Sequence, residues 1–170
     1  PFAMDLARAG GMQLLGWFGN AEAQMKADGT TLTNADTAVD GFICGEIQTN
    51  FPDDLIISEE MYHSHETEQA NVWVIDPLDG STNFSQGLPL WGVSIALLER
   101  GHPTLAVMYF PMLDMLCHAS AGSGAFEDDR QISARRPAEI DRYSIFTCSA
   151  GAERSYWPGM CAKRRTFGST

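Results

Sequence analysis

Apolar positions recur at helical spacing in the early part of the chain, then fall into short runs punctuated by Gly, Pro and Asp. Phe2, Leu6, Leu14, Leu15 and Phe18 predict a helix over 2–18, its pattern interrupted by Gly10-Gly11. Residues 23–32 read as polar and turn-rich. Thr33-Asn34-Ala35-Asp36 then has the form of a helix N-terminus, and Ala35, Val39, Phe42, Ile43 and Ile47 carry a second helix to about Phe51-Pro52. Leu55-Ile56-Ile57 predicts a short strand delivering Ser58-Glu59-Glu60, and 61–71 a polar loop. A buried strand over 72–75 follows. Beyond Phe84, runs at 92–98, 105–110 and 115–119 suit an antiparallel meander. A hairpin turn at 121–124, a connection at 137–141 and a last strand at 144–148 complete the reading. The fold class expected is α+β in a single domain over 1–170, helices first and sheet after.

The composition permits a packed core and narrows the partners. Of 170 residues, 44% are hydrophobic and 10% aromatic, enough for a globular domain, while a net charge of −11 disfavours nucleic acid and anionic membranes and favours divalent cations. No apolar run reaches the roughly 18 residues of a membrane span, and no secretory signal opens the chain, so a cytoplasmic protein is expected. Cys44, Cys117, Cys148 and Cys161 form no CxxC or zinc pattern and read as ordinary buried thiols. The chain opens on Pro1 and stops inside a glycine-containing segment, 164–170, which suggests a fragment.

The chemistry concentrates in Trp73-Val74-Ile75-Asp76-Pro77-Leu78-Asp79-Gly80-Ser81-Thr82-Asn83-Phe84. Asp76 and Asp79 leave one strand end, with Pro77 expected to fix a turn between them, and Glu59 leaves another. Asp-Pro and Asp-Gly also occur in innocent turns. The strand before them, Ser-Thr-Asn after them and the acidic pair upstream weigh for function. Carboxylates sharing a cavity suit a pair of hard cations roughly 3.5–4 Å apart, which screen a phosphate and activate water. Gly80 lets backbone approach a ligand, and 81–83 have the composition of a helix start able to hold phosphate.

These motifs resemble the inositol monophosphatase family, magnesium-dependent and lithium-sensitive phosphomonoesterases. The family pattern is a Glu-Glu pair after a short strand, then Trp-x-Ile-Asp-Pro-x-Asp-Gly-Thr-Thr-Asn-Phe; here Glu59-Glu60 and 73–84 take those places, with Ser81 for threonine. The resemblance implies a layered α/β/α/β/α sugar-phosphatase-type sandwich. It implies that Glu59, Asp76 and the Leu78 carbonyl hold a first Mg2+ and that Asp76 and Asp79 hold a second. It further implies that Glu59 and the Ser81 hydroxyl orient the attacking water and that Gly80, Ser81 and Thr82 amides bind phosphate. Lys26-Ala27-Asp28-Gly29-Thr30 and Thr33-x-x-Asp36 are similar to a stretch supplying a lysine and a catalytic aspartate, Asp36 here. Asp36 also suits a helix's first turn without catalytic duty. Arg165-x-x-Gly168-Ser169-Thr170 resembles a segment whose small residues contact substrate, with Thr170 for alanine. The family continues past this point with a Trp-Asp segment that completes the second metal site.

The function expected is Mg2+-dependent hydrolysis of a small polyol phosphate, inositol monophosphate foremost, by a homodimer. Histidinol phosphate, fructose 1,6-bisphosphate and 3'-phosphoadenosine nucleotides are the alternatives within the family. A catalytically silent metal-binding or dimerisation fragment is the alternative of another class. His63-x-His65 reads as a solvated loop pair, Gly122-Ser123-Gly124 as a turn, and Met108, Met112 and Met115 as core fillers.

Overall fold

A computed structural model describes residues 1–26, 31–60 and 71–133. Helices α1 (Phe2–Trp17) and α2 (Asn34–Asn50) cover one face of a seven-stranded sheet. The strands are β3 (Leu55–Ser58), β4 (Asn71–Asp79), β5 (Gly92–Glu99), β6 (His102–Phe110), β7 (Met115–Ser120), β8 (Gly124–Glu127) and β9 (Arg130–Ile132), in that spatial order. β3 runs parallel to β4, and every later pair is antiparallel. The architecture is α+β, as expected.

The Gly10-Gly11 pair does not interrupt α1, because each glycine permits a close approach. A Cβ on Gly10 would lie 3.1 Å from Ile43 Cδ1 of α2, and one on Gly11 would lie 2.5 Å from Tyr109 Cδ1 of β6. Leu6, Leu14, Val39, Ile43 and Ile47 of the helices meet Trp73, Ile75, Val93, Ile95, Val107, Tyr109 and Leu116 of the sheet in one core. Alternation along β4 buries Trp73 and Ile75 and leaves Val74 exposed.

Several elements differ from the sequence reading. The 23–32 stretch carries two short antiparallel strands, β1 (Ala23–Met25) and β2 (Thr31–Thr33), instead of turns alone. All of β1 is exposed, so no apolar alternation announces it. β8 and β9 also went unforeseen; Phe126 of β8 stacks on His118, with ring centroids 5.2 Å apart. Met112 is not a core filler: it sits 39% exposed on the 3₁₀ turn Pro111–Leu113. Cys44 and Cys117 are free and half buried. Among the described residues no helix is long and apolar enough to cross a membrane.

Pro77 does not make a turn. β4 continues through it to Asp79, and the register against β5 slips, Asp76 facing Ser94 and Asp79 facing Gly92. Three steps along β4 thus match two along β5, which is a bulge. Proline, lacking an N–H, is tolerated where the ladder is already broken. The expectations at 61–70, 137–141, 144–148 and His63-x-His65 lie outside the described residues.

Candidate functional site

The parallel pairing of β3 with β4 sets two acidic segments side by side. Ser58 faces Ile75, and the Glu59 amide extends the ladder by donating to the Ile75 carbonyl at 3.1 Å. Glu59 therefore leaves its strand beside Asp76, and the bulge carries Asp79 past the same end. The Asp76 carboxylate accepts the Leu78 N–H at 3.1 Å. Burial, then the charges of Glu59 and Asp79, push the Asp76 carboxyl up to about 7, against the lowering effect of that amide.

The next residues form the start of α3 (Ser81–Ser85). Gly80 takes φ +92, and a Cβ there would stand 2.9 Å from the Leu90 carbonyl oxygen, so glycine is required. Phe84 anchors the short helix between Phe18 and Trp91, with ring centroids 5.4 and 4.8 Å away. Its amide donates the first intrahelical bond to Gly80 O, which leaves the earlier amides without helical partners. The Thr82 hydroxyl lies 3.2 Å from that of Thr31, joining α3 to β2.

Asp36 serves two structures at once. One oxygen, Oδ2, accepts from the Thr33 amide at 2.8 Å and the Thr33 hydroxyl at 2.5 Å, completing a capping box at the start of α2. The other, Oδ1, accepts from the Ser81 hydroxyl at 2.8 Å. Ser81 Oγ is also 3.0 Å from Leu78 O, and its single proton serves one acceptor at a time. The hydrogen-bonded partner of Ser81 is Asp36, which is 1% exposed.

Glu59 pairs with Lys26, whose Nζ lies 3.3 Å from Glu59 Oε1 and 2.6 Å from Glu60 Oε1. Burial works against the Lys26 ammonium, but Glu60 and Glu59 outweigh it and raise its pKa. Glu60 is raised too, by burial first, with Lys26 opposing and the Glu59 and Asp36 charges adding to the rise. Among the described residues no group of three or more His, Cys, Asp or Glu side chains has its donors gathered as around a bound ion. Glu59, Asp76 and Asp79, expected to share one cavity, leave neighbouring strand ends. Glu59 and Asp79 lie close enough to Asp76 to raise its pKa, and Lys26 supplies positive charge on Glu59's side. An open cavity of about 440 Å³ lies elsewhere, lined by Glu22, Gln24, Thr33 and Thr37 among others.

The donor set still fits a hard divalent cation. Glu59, Asp76, Asp79 and the Leu78 carbonyl offer only oxygen, and the raised Asp76 carboxyl marks negative charge in want of a counter-ion. Sequence reasoning missed the role of Ser58 beneath Glu59 and that of Asp40, one turn beyond Asp36 on α2. Their contact spans 18 residues and has no local signature. Gly168, Ser169 and Thr170 lie outside the described residues.

The family model described as inositol monophosphatase family matches residues 1–168. A histidinol-phosphatase of Chlorobaculum parvum is 38% identical over 139 residues, covering 81% of this chain and 53% of the relative. The Nus factor SuhB of Escherichia coli is 42% identical over 120 residues, covering 71% and 45%. Among solved structures, an IMPase of Thermotoga maritima aligns with a TM-score of 0.77 at 32% identity, covering 82% of this chain and 54% of that one. The chain spans about half the length of the curated relatives it matches.

Proposed function

The chain belongs to the inositol monophosphatase family, and from that premise we propose that the full-length protein hydrolyses a small polyol phosphate monoester with Mg2+ as cofactor. The observation that carries this reading is the Glu59 amide bonded to Ile75 O, which brings Glu59 beside the bulge bearing Asp76 and Asp79. In this reading Glu59, Asp76 and the Leu78 carbonyl hold one cation, and Asp76 with Asp79 a second. Cations bound there would screen the phosphate's charge and lower the pKa of the attacking water. The amides of Gly80, Ser81 and Thr82 receive phosphate oxygens. The Ser81 hydroxyl, fixed by Asp36, orients the water, with Asp36 as the group able to take up proton density through it. Gly168, Ser169 and Thr170 contact the substrate's hydroxyl-bearing portion, and the protein acts as a cytoplasmic homodimer.

Inositol monophosphate is the leading substrate. Relatives named for histidinol phosphate and for inositol monophosphate both match, which keeps the class at small phosphorylated alcohols. The test is phosphate release by the full-length protein from inositol 1-phosphate, histidinol phosphate, fructose 1,6-bisphosphate and 3'-phosphoadenosine nucleotides, with and without Mg2+ and Li+. Mg2+-dependent turnover of one of them, lost in Asp79→Asn, supports the reading. No release from any, or release indifferent to Asp79→Asn, sinks it.

A further inference from the structure

Asp40 is a fully buried acid that the proposed reaction does not use. It lies one turn after Asp36 on the inner face of α2, 0% exposed. Its Oδ1 accepts from the Ser58 hydroxyl and lies 3.7 Å from Cys44 Sγ, while Oδ2 has no hydrogen-bond partner among the described residues. Burying a carboxyl with one oxygen unsatisfied opposes folding, so stability alone does not account for it.

What Asp40 fixes is the residue at the root of the acidic elbow. Ser58 is the buried last residue of β3, and its Oγ accepts from the Glu60 amide in a long contact of 3.4 Å. A hydroxyl has one proton. Once that proton is committed inward to Asp40, the lone pairs of Oγ face outward to Glu60 N–H. The Glu59 amide is committed meanwhile to Ile75 O. Both amides of the Glu59-Glu60 elbow are thereby tied, one to the sheet and one to helix α2 by way of Ser58.

We propose that Asp40 is a positioning residue for the cation-binding elbow, holding Glu59 and Glu60 in direction through the Ser58 hydroxyl. The proposal rests on the reading of Glu59 as a metal ligand. Groups that orient ligands in this way typically change metal affinity by about 10–100-fold when removed. The effect falls on cation affinity and leaves turnover at saturating cation little changed.

The test uses the full-length protein, with Mn2+ binding followed by electron paramagnetic resonance and Mg2+ half-saturation followed by phosphate release. Asp40→Ala and Ser58→Ala should each weaken Mn2+ binding and raise the half-saturating Mg2+ by about 10-fold. The double variant should be no worse than either single one, since both cut one chain of contacts. Asp40→Asn, whose amide oxygen still accepts from Ser58, should restore affinity. Ile47→Val, which thins the same helix's core, should lower Tm and leave Mn2+ affinity alone. If Asp40→Ala does not fold, Ser58→Ala must still show the loss and Asp40→Asn must still bind. Unchanged affinity in Ser58→Ala, additive losses in the double variant, or failure of Asp40→Asn to restore binding would each overturn the positioning role while leaving the hydrolase reading intact. A wild-type protein that neither binds Mn2+ nor releases phosphate overturns both.

Discussion

The hydroxyl of Ser81 donates to Oδ1 of Asp36 at 2.8 Å, joining the start of α3 to the start of α2 across 45 positions of chain. Because the other Asp36 oxygen is held by the capping box, the carboxylate cannot turn away from Ser81. Ser81→Ala in the full-length protein should therefore lower kcat by about 10²-fold or more, the scale of a lost proton-handling group, with little change in Tm. Asp36→Asn should show the same kinetic loss plus about 1 kcal/mol of destabilisation from the damaged cap. Phosphate release and urea unfolding on the two variants separate the roles. Equal kinetics in Ser81→Ala and wild type would remove Ser81 from the reaction.

Gly80 tests the backbone beneath the phosphate-binding amides. Alanine there would bring Cβ to 2.9 Å from Leu90 O and 3.3 Å from Trp91 Cα in a conformation with φ +92, and both of these neighbours are backbone atoms. The expected cost exceeds about 1 kcal/mol, with KM for the phosphate ester raised as the amides shift. Denaturant unfolding at fixed pH measures the first effect and initial-rate kinetics the second. An alanine variant as stable as wild type would contradict the φ read at this position.

The parts of this arrangement that were legible in the sequence are those written in local pattern. Thr33 and Asp36 announce a capping box, Val39, Ile43 and Ile47 a helix face, and the apolar runs before Glu59 and Asp76 two strand ends. What was not legible depends on register or distance. The bulge at Pro77 is defined by pairing with β5, and the Asp36–Ser81 and Lys26–Glu60 contacts join segments that no local period relates. β1 is held by backbone bonds with every side chain exposed, so burial left no imprint on its composition.

Lys26 holds Glu59, a carboxylate that the proposed cation would also hold, so the two compete. Lys26→Met should lower the Mg2+ concentration for half-maximal phosphate release, because Glu59 no longer has to leave an ammonium. At neutral pH the lost Lys26–Glu59 pair should cost less than about 1 kcal/mol, since Glu59 is half exposed, and loss of the shorter Lys26–Glu60 pair, whose acid is 8% exposed, should add to that. The lysine pKa is raised on folding, so its contribution is complete below its ordinary value of 10.5 and fades as pH rises through the folded value. The Tm difference between wild type and Lys26→Met should accordingly be flat near neutrality and shrink in alkali. A gap that widens in alkali would reverse the assignment.

Asp40 sets a pH dependence of the same sign in the acid range. Burial raises its carboxyl above the ordinary 3.8, with the Ser58 and Cys44 hydrogen bonds opposing the rise. The folded protein therefore holds a proton at Asp40 that the unfolded chain has already released, and stability falls as pH climbs from 3.8 through the folded value. Glu60 and Asp76, whose carboxyls are also raised, are present in both proteins, so comparing wild type with Asp40→Asn isolates this one group. Urea unfolding from about pH 4 to 7 should show the asparagine variant gaining on wild type as pH rises, because only wild type must ionise a carboxyl whose Oδ2 has no partner among the described residues. A stability difference independent of pH across that range would mean that Asp40 ionises in place at no cost, with its second oxygen satisfied by a water or cation inside the fold.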